Sequence, residues 1–117
     1  MPPIESTIVF MPRFTTLIGS REFTTLPLDV SRFGSAQFQV WQAGINGSGG
    51  TFKVSFEESL DTEHWALGAS SPEVFTIAQN ETRFFSHSFR LRWFRLKVDL
   101  SETPDAMVTC WAEGILR

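Results

Sequence analysis

Tyrosine is absent from this 117-residue chain, cysteine occurs once, and neither sign of charge dominates. Each shortage narrows the field. A lone Cys110 makes no internal disulfide, so stability must come from packing, which fits synthesis in a reducing compartment. A formal net charge of −3 argues against nucleic acid as the main partner, because phosphate binding wants a basic surplus. No apolar run is long enough to cross a bilayer, and Met1-Pro2-Pro3-Ile4-Glu5 lacks the charged-then-apolar layout of a signal peptide, so no membrane partner is expected. There is no Gly-rich phosphate loop, no nucleophile elbow and no Cys or His pair at metal spacing. His64 and His87 have no nucleophile in a recognisable motif beside them. The sequence therefore predicts no catalytic residue, no cofactor and no enzyme.

What is plentiful is Phe, with twelve copies beside four Trp. Sugar-contacting and paratope-like surfaces often use Tyr, whose hydroxyl keeps one end wet, whereas Phe has no polar handle. Most of these rings are expected in a core, where each contributes roughly 2 to 3 kcal/mol. At this length the chain is read as one domain, residues 1–117, able to bury roughly two thirds of its unfolded surface.

The strongest local signal runs from Ala36 to Leu60. Ala36, Phe38 and Val40 alternate with Gln37 and Gln39; Phe52, Val54 and Phe56 alternate with Lys53, Ser55 and Glu57. A period of two sends one set to a core and the other outward. With the loop Asn46-Gly47-Ser48-Gly49-Gly50 between the arms, the stretch reads as a β-hairpin.

Elsewhere the signals are shorter. Residues 1–5 read as an extended arm, reaching in the longest reading to about residue 12, and Ser6–Met11 as a first strand ended by Pro12. Phe-Thr-Thr-Leu occurs at Phe14–Leu17 and Phe23–Leu26, which reads as two similar strands. Asp29 to Gly34 reads as a turn between sheets, with Asp29 as a cap. Short strands are expected at Ala66–Ala69, Val74–Ile77 and Thr82–Ser86. Phe89–Leu100 alternates with a one-residue phase slip between Trp93 and Phe94, read as a β-bulge or a change of sheet. Met107–Leu116 closes the chain, with Cys110 a small buried hydrophobe. About eight short strands and no long helix mean an all-β protein, an antiparallel β-sandwich or barrel.

Two charged clusters invite a site. Glu57, Glu58, Asp61, Glu63 and His64 could offer oxygens to Ca²⁺, although the spacing is not that of an EF-hand and a solvated turn explains them as well. Arg83, Arg90, Arg92, Arg95 and Lys97 could form an anionic-partner stripe, but their alternation favours pairing with Glu57 and Glu58. Of the tryptophans, Trp41 interrupts the outward Gln series and Trp65 follows a turn, so both are candidates to anchor a contact.

Ser59-Leu60-Asp61-Thr62-Glu63-His64-Trp65 resembles the Ser-x-Asp-Gly-x-x-Trp turn of discoidin-like, galactose-binding jelly rolls. Val74-Phe75, Asn80, the Arg-rich strand and Val108-x-Cys110-x-Ala112-Glu113-Gly114 follow in similar order, so the likeness covers roughly residues 50 to 114. The chain departs from that family in its length, in Thr62 where Gly is favoured, and in lacking a cysteine pair. Pro27-Leu28-Asp29-Val30-Ser31, then a Gln-rich strand, a Gly-rich loop and Glu57-Glu58-Ser59 through Trp65, is similar to small phage virion proteins.

The resemblance implies a jelly-roll body with a short N-terminal arm, serving as a capsid decoration or cement protein. It would bind protein subunits of a particle in a homo-oligomer or symmetric assembly, made in the host cytoplasm and ending in the virion. The contact positions expected are Ile4, Ile8 and Phe10 on the arm, with Trp41 and Trp65. The alternative is a carbohydrate-binding adhesion module, in which Trp65, Asn80 and Arg83 grip a sugar.

Overall fold

The computed structural model describes residues 5–45, 52–67, 75–78 and 80–117. These form β1 (Ser6–Ile18), β2 (Glu22–Thr24), β3 (Leu28–Asp29), β4 (Ser35–Ile45), β5 (Lys53–Ser59), β6 (Ala66–Leu67), β7 (Phe75–Thr76), β8 (Glu81–Ser88), β9 (Trp93–Asp99) and β10 (Met107–Leu116). A front sheet has the order β1-β10-β4-β8; a back sheet has β2-β9-β5-β6, with β3 also on β9 and β7 also on β5. Every ladder is antiparallel.

The ten strands occupy eight positions, because β2 with β3, and β6 with β7, share a neighbour. At nearly every connection the chain changes sheet, which is the jelly-roll way of winding a sandwich. The fold class expected from the two-residue rhythm is the one observed.

The pairing inside it is not. β4 and β5 are both strands, as their alternation requires, but they are not a hairpin. β4 lies between β10 and β8 in front, and β5 between β9 and β6 behind. They face each other across the core, with the Phe38 and Phe56 rings 5.2 Å apart. Alternation says which side of a strand is greasy; it does not say which strand supplies the ladder. The Gly-rich loop between them lies outside the described residues.

Of the two readings of the phase slip, the change of sheet is the one observed, a few residues earlier than the slip itself. β8 ends in the front sheet at Ser88, residues 89–92 turn and carry the chain across, and β9 starts in the back sheet at Trp93. The buried Glu58 carboxyl group accepts the backbone N–H of Arg90 (2.8 Å) and of Leu91 (3.0 Å), holding that turn from inside. Two segments that meet at a turn need share no phase.

The N-terminal reading changes too. Residues from Ser6 onward are strand, hydrogen-bonded to β10 from Ser6↔Leu116 through Ile18↔Met107, so no strap reaches to residue 12. Pro12 does not end the strand, because β1 is a sheet edge and its register shifts on either side of Met11. The first Phe-Thr-Thr-Leu copy lies within β1, and the second runs from β2 into the chain beyond it.

The core joins the sheets through Phe38, Phe52, Phe56, Phe85 and Phe94, all buried, with Phe10 against Phe38 (5.4 Å) and Phe94 (5.7 Å). Asp29 acts as read: its Oδ1 accepts the Ser31 N–H at 3.0 Å, which lowers its pKa to about 2, and Phe33 N–H closes a turn on Val30 O. Cys110 is fully buried, and burial pushes its thiol up to about 12.

Candidate functional surface

Among the described residues, seven large hydrophobic side chains are exposed, and five of them, Val9, Phe14, Ile18, Phe84 and Met107, lie on the outer side of the front sheet. Strand geometry puts them there. In β10, Val108, Cys110 and Ala112 point inward, so Met107, Trp111, Glu113 and Ile115 point outward. Register then builds rows across all four strands: Thr7–Ile115–Gln37–Ser86, and Val9–Glu113–Gln39–Phe84.

The next row holds the aromatic cluster. Trp111 lies opposite Trp41, and their rings stack at 5.8 Å with an interplanar angle of 24°. Phe14 meets Trp41 edge-on at 6.3 Å, and the Arg13 guanidinium sits 5.3 Å over the Trp111 ring. Arg13 also pairs with Glu113 at 3.0 Å. The bulge that admits Pro12 places Phe14 on this face: its φ is 63°, and the ring is 73% exposed.

Beside the cluster runs a groove of about 700 Å³, crossing all four strands and lined by side chains such as Val9, Gln39, Phe84 and Ile115. Gly114 lies in its floor. A Cβ there would come within 2.3 Å of Phe38 Cβ and 2.4 Å of Gln37 O, so β10 and β4 approach more closely than any other residue allows.

The residues singled out from sequence fall in different places. Trp41 is half-buried within the cluster. Trp111 is not among the contact positions expected from sequence, although its phase opposite Cys110 and Ala112 carries the signal. Phe10 and Ile8 are partly buried and pack on the core, with Ile8 also lining the groove; Ile4 lies outside the described residues. Phe14 and Phe84 depart from the expectation that Phe is core.

Trp65 immediately precedes β6 of the back sheet, half-buried with the Arg95 guanidinium 4.0 Å over its ring and its indole N–H donating to Thr62 O at 3.0 Å. Asn80 and Arg83 are not beside it. Trp65 precedes Ala66, which pairs with Glu58 at one end of β5, whereas Arg83 donates to Thr76 O, next to Lys53 at the other end. Glu58 and Lys53 are five steps apart along the strand, about 17 Å. Asn80, at φ 60°, donates its N–H to Gln42 O.

The Ser59–Trp65 turn is held by its own groups. Ser59 Oγ accepts the N–H of Asp61 (3.1 Å) and Thr62 (2.9 Å), while Asp61 Oδ1 accepts the N–H of Glu63 (2.9 Å) and His64 (2.8 Å). These bonds, with His64 Nδ1 at 2.6 Å from Oδ2, hold the Asp61 carboxyl well below the usual range. Asp61, Glu63 and His64 bring potential ligand atoms within 4.8 Å of one another, all exposed. The wider acidic cluster does not assemble: Glu57 turns to Arg95 and Lys97, and Glu58 turns into the core. Arg95 and Lys97 pair as the alternation suggested, while Arg92 pairs with Asp29.

His87 is buried against Phe56, Phe89 and Phe94, with Nε2 3.3 Å from Glu58 Oε2. Burial pushes its pKa down, and Glu58 opposes that shift.

No family model matches the chain, and no curated protein matches it. Among solved structures, the SPBc2 prophage-derived protein YomS is similar over 98% of this chain and 96% of its own, with a TM-score of 0.58 and 10% identity. The CBM36-1 domain of a multidomain xylanase from the hindgut metagenome of Trinervitermes trinervoides is similar over 96% of each chain, with a TM-score of 0.49 and 8% identity. At 10% identity the likeness to YomS is one of fold.

Proposed function

We propose that this chain is a non-enzymatic structural protein of a phage particle, of the capsid-decoration or cement type, that adheres to neighbouring protein subunits through the outer side of its front sheet. It would be made in the host cytoplasm and carried in the virion. The observation behind this reading is the concentration of exposed Val9, Phe14, Ile18, Phe84 and Met107 on that one face, around a shallow groove. Large exposed apolar patches mark interaction sites, and many symmetric copies make weak contacts act together. The fold shared with a prophage-derived protein is compatible with it.

The test is cosedimentation with particles of the phage or prophage that encodes the chain. Wild type should pellet with the particle and Phe84→Asp should stay in the supernatant. Equal recovery of both would remove the front face from the reading, and wild type that never pellets would remove the particle.

A carbohydrate-binding reading is favoured by one feature, the stacked Trp41–Trp111 pair with Glu113 and Gln39 close by in the neighbouring row. Aromatic faces stack on sugar rings while amides and carboxylates take the hydroxyls. Glycan-array binding that is lost in Trp41→Ala and retained in Trp65→Ala would establish it; a blank array would end it.

A further inference from the structure

We infer that the front face is a self-complementary interface, whose partner is a second copy of this chain packed face to face about a two-fold axis. The inference names the first neighbour within the adhesive reading above and rests on the same face.

Three observations select a second copy. The side-chain charges on and beside the face cancel: Arg13 pairs with Glu113 (3.0 Å) and Arg117 with Glu5 (3.2 Å), while the whole chain carries −3. Two copies can therefore bring these faces together without setting like charges against each other, as they could not at an acidic patch. The area is also sufficient. Four strands at about 4.8 Å and nine or ten residues at about 3.3 Å give a footprint of roughly 600 Å², so two copies bury about 1,200 Å², the lower bound of stable interfaces.

The third observation is a knob beside a hole. Phe14 holds φ 63°, a conformation that costs a bulky residue free energy, and spends it to put its ring 73% into solvent. The groove over Gly114 lies alongside on the same face. A two-fold axis lying in the interface between knob and groove seats each Phe14 in the partner's groove, against Phe84 and Ile115, the isologous arrangement of a symmetric dimer.

Sedimentation-velocity analysis of the purified chain tests this across a concentration series, with thermal unfolding measured in parallel. Wild type should dimerise. Phe84→Asp and Phe14→Asn should each weaken the dimer by at least about tenfold, and Leu60→Asp, off this face, should leave it unchanged. Asn tolerates the left-handed region, so Phe14→Asn should unfold at the same or a higher temperature when monomeric. Loss of the dimer therefore cannot be put down to loss of the fold. A wild type that stays monomeric at about millimolar concentration, where even weak specific contacts associate, overturns the inference. A dimer indifferent to both Phe variants overturns it too. A Phe14-dependent dimer that never binds particles would leave the inference standing and remove the particle instead.

Discussion

On the outer side of the back sheet the rows read Glu22–Asp99–Lys53 and Thr24–Lys97–Ser55, followed by the pair Arg95–Glu57. On the front sheet the corresponding rows read Val9–Glu113–Gln39–Phe84 and Trp111–Trp41–Thr82. The back face is closed by its own ion pairs. Glu57 takes Arg95 at 2.9 Å and Lys97 at 3.9 Å, Lys53 takes Glu102 at 2.8 Å, and Arg95 covers Trp65. The front face has one such pair among its central rows, Arg13–Glu113, and leaves the rings of Phe14 and Phe84 in water. One sandwich thus has a side that satisfies itself and a side that does not. The difference matters because well-paired charges discourage sheets from sticking, whereas an unpaired apolar face invites a partner.

The sharpest way to break this comparison is to unlock the back sheet from within. Glu58→Ala strips a buried acceptor from two backbone N–H groups and from His87, and should cost about 3 kcal/mol or more in urea unfolding, with the front face unaltered. A loss under 1 kcal/mol would mean the turn at residues 89–92 holds without it. Gly114→Ala, beneath the front groove, should cost about 1 to 3 kcal/mol by forcing β10 from β4, and should weaken the dimer as well.

His87 supplies a pH test. Its folded pKa lies below the ordinary 6.5, so as pH falls through that value the unfolded chain takes up the proton first. Stability from this source is complete above 6.5 and declines below it; urea midpoints at pH 7.5 and 5.5 should show the fall, and His87→Gln should flatten it. An unchanged slope in the variant would assign the acid sensitivity elsewhere.

Smaller effects separate the two faces themselves. Thr62 is β-branched at φ 66°, where the resembling turn carries Gly, so Thr62→Gly on the back sheet should stabilise by up to about 1 kcal/mol without touching association. Phe84→Asp should change stability by no more than about 0.5 kcal/mol while abolishing the dimer. Should Phe84→Asp unfold the protein instead, the front face would be part of its stability and not a free surface.

Much of this was legible in the residues. Phe38, Val40, Val54 and Phe56 lie inside as their alternation demands, and Met107–Leu116 is the strand it reads as. Trp41 pointed outward on the same logic. Phe14 escaped because its position depends on a bulge around Pro12 that no alternation reports, and Phe84 because a neighbouring Phe85 takes the core place. The Ser59–Trp65 motif was recognisable, but what its hydrogen bonds build is a self-contained turn.

By itself the sequence determined that strands form, which sides of them are apolar, and that the result is an all-β structure, since side-chain direction along an extended chain follows from local geometry. Only the tertiary structure decided that β4 and β5 part company across the core, and that Phe14, Trp41, Trp111 and Phe84 gather on one face. Backbone hydrogen bonds are blind to side chains, so a strand accepts any neighbour; the choice among neighbours is made by how the Phe rings of both layers fill the space between them.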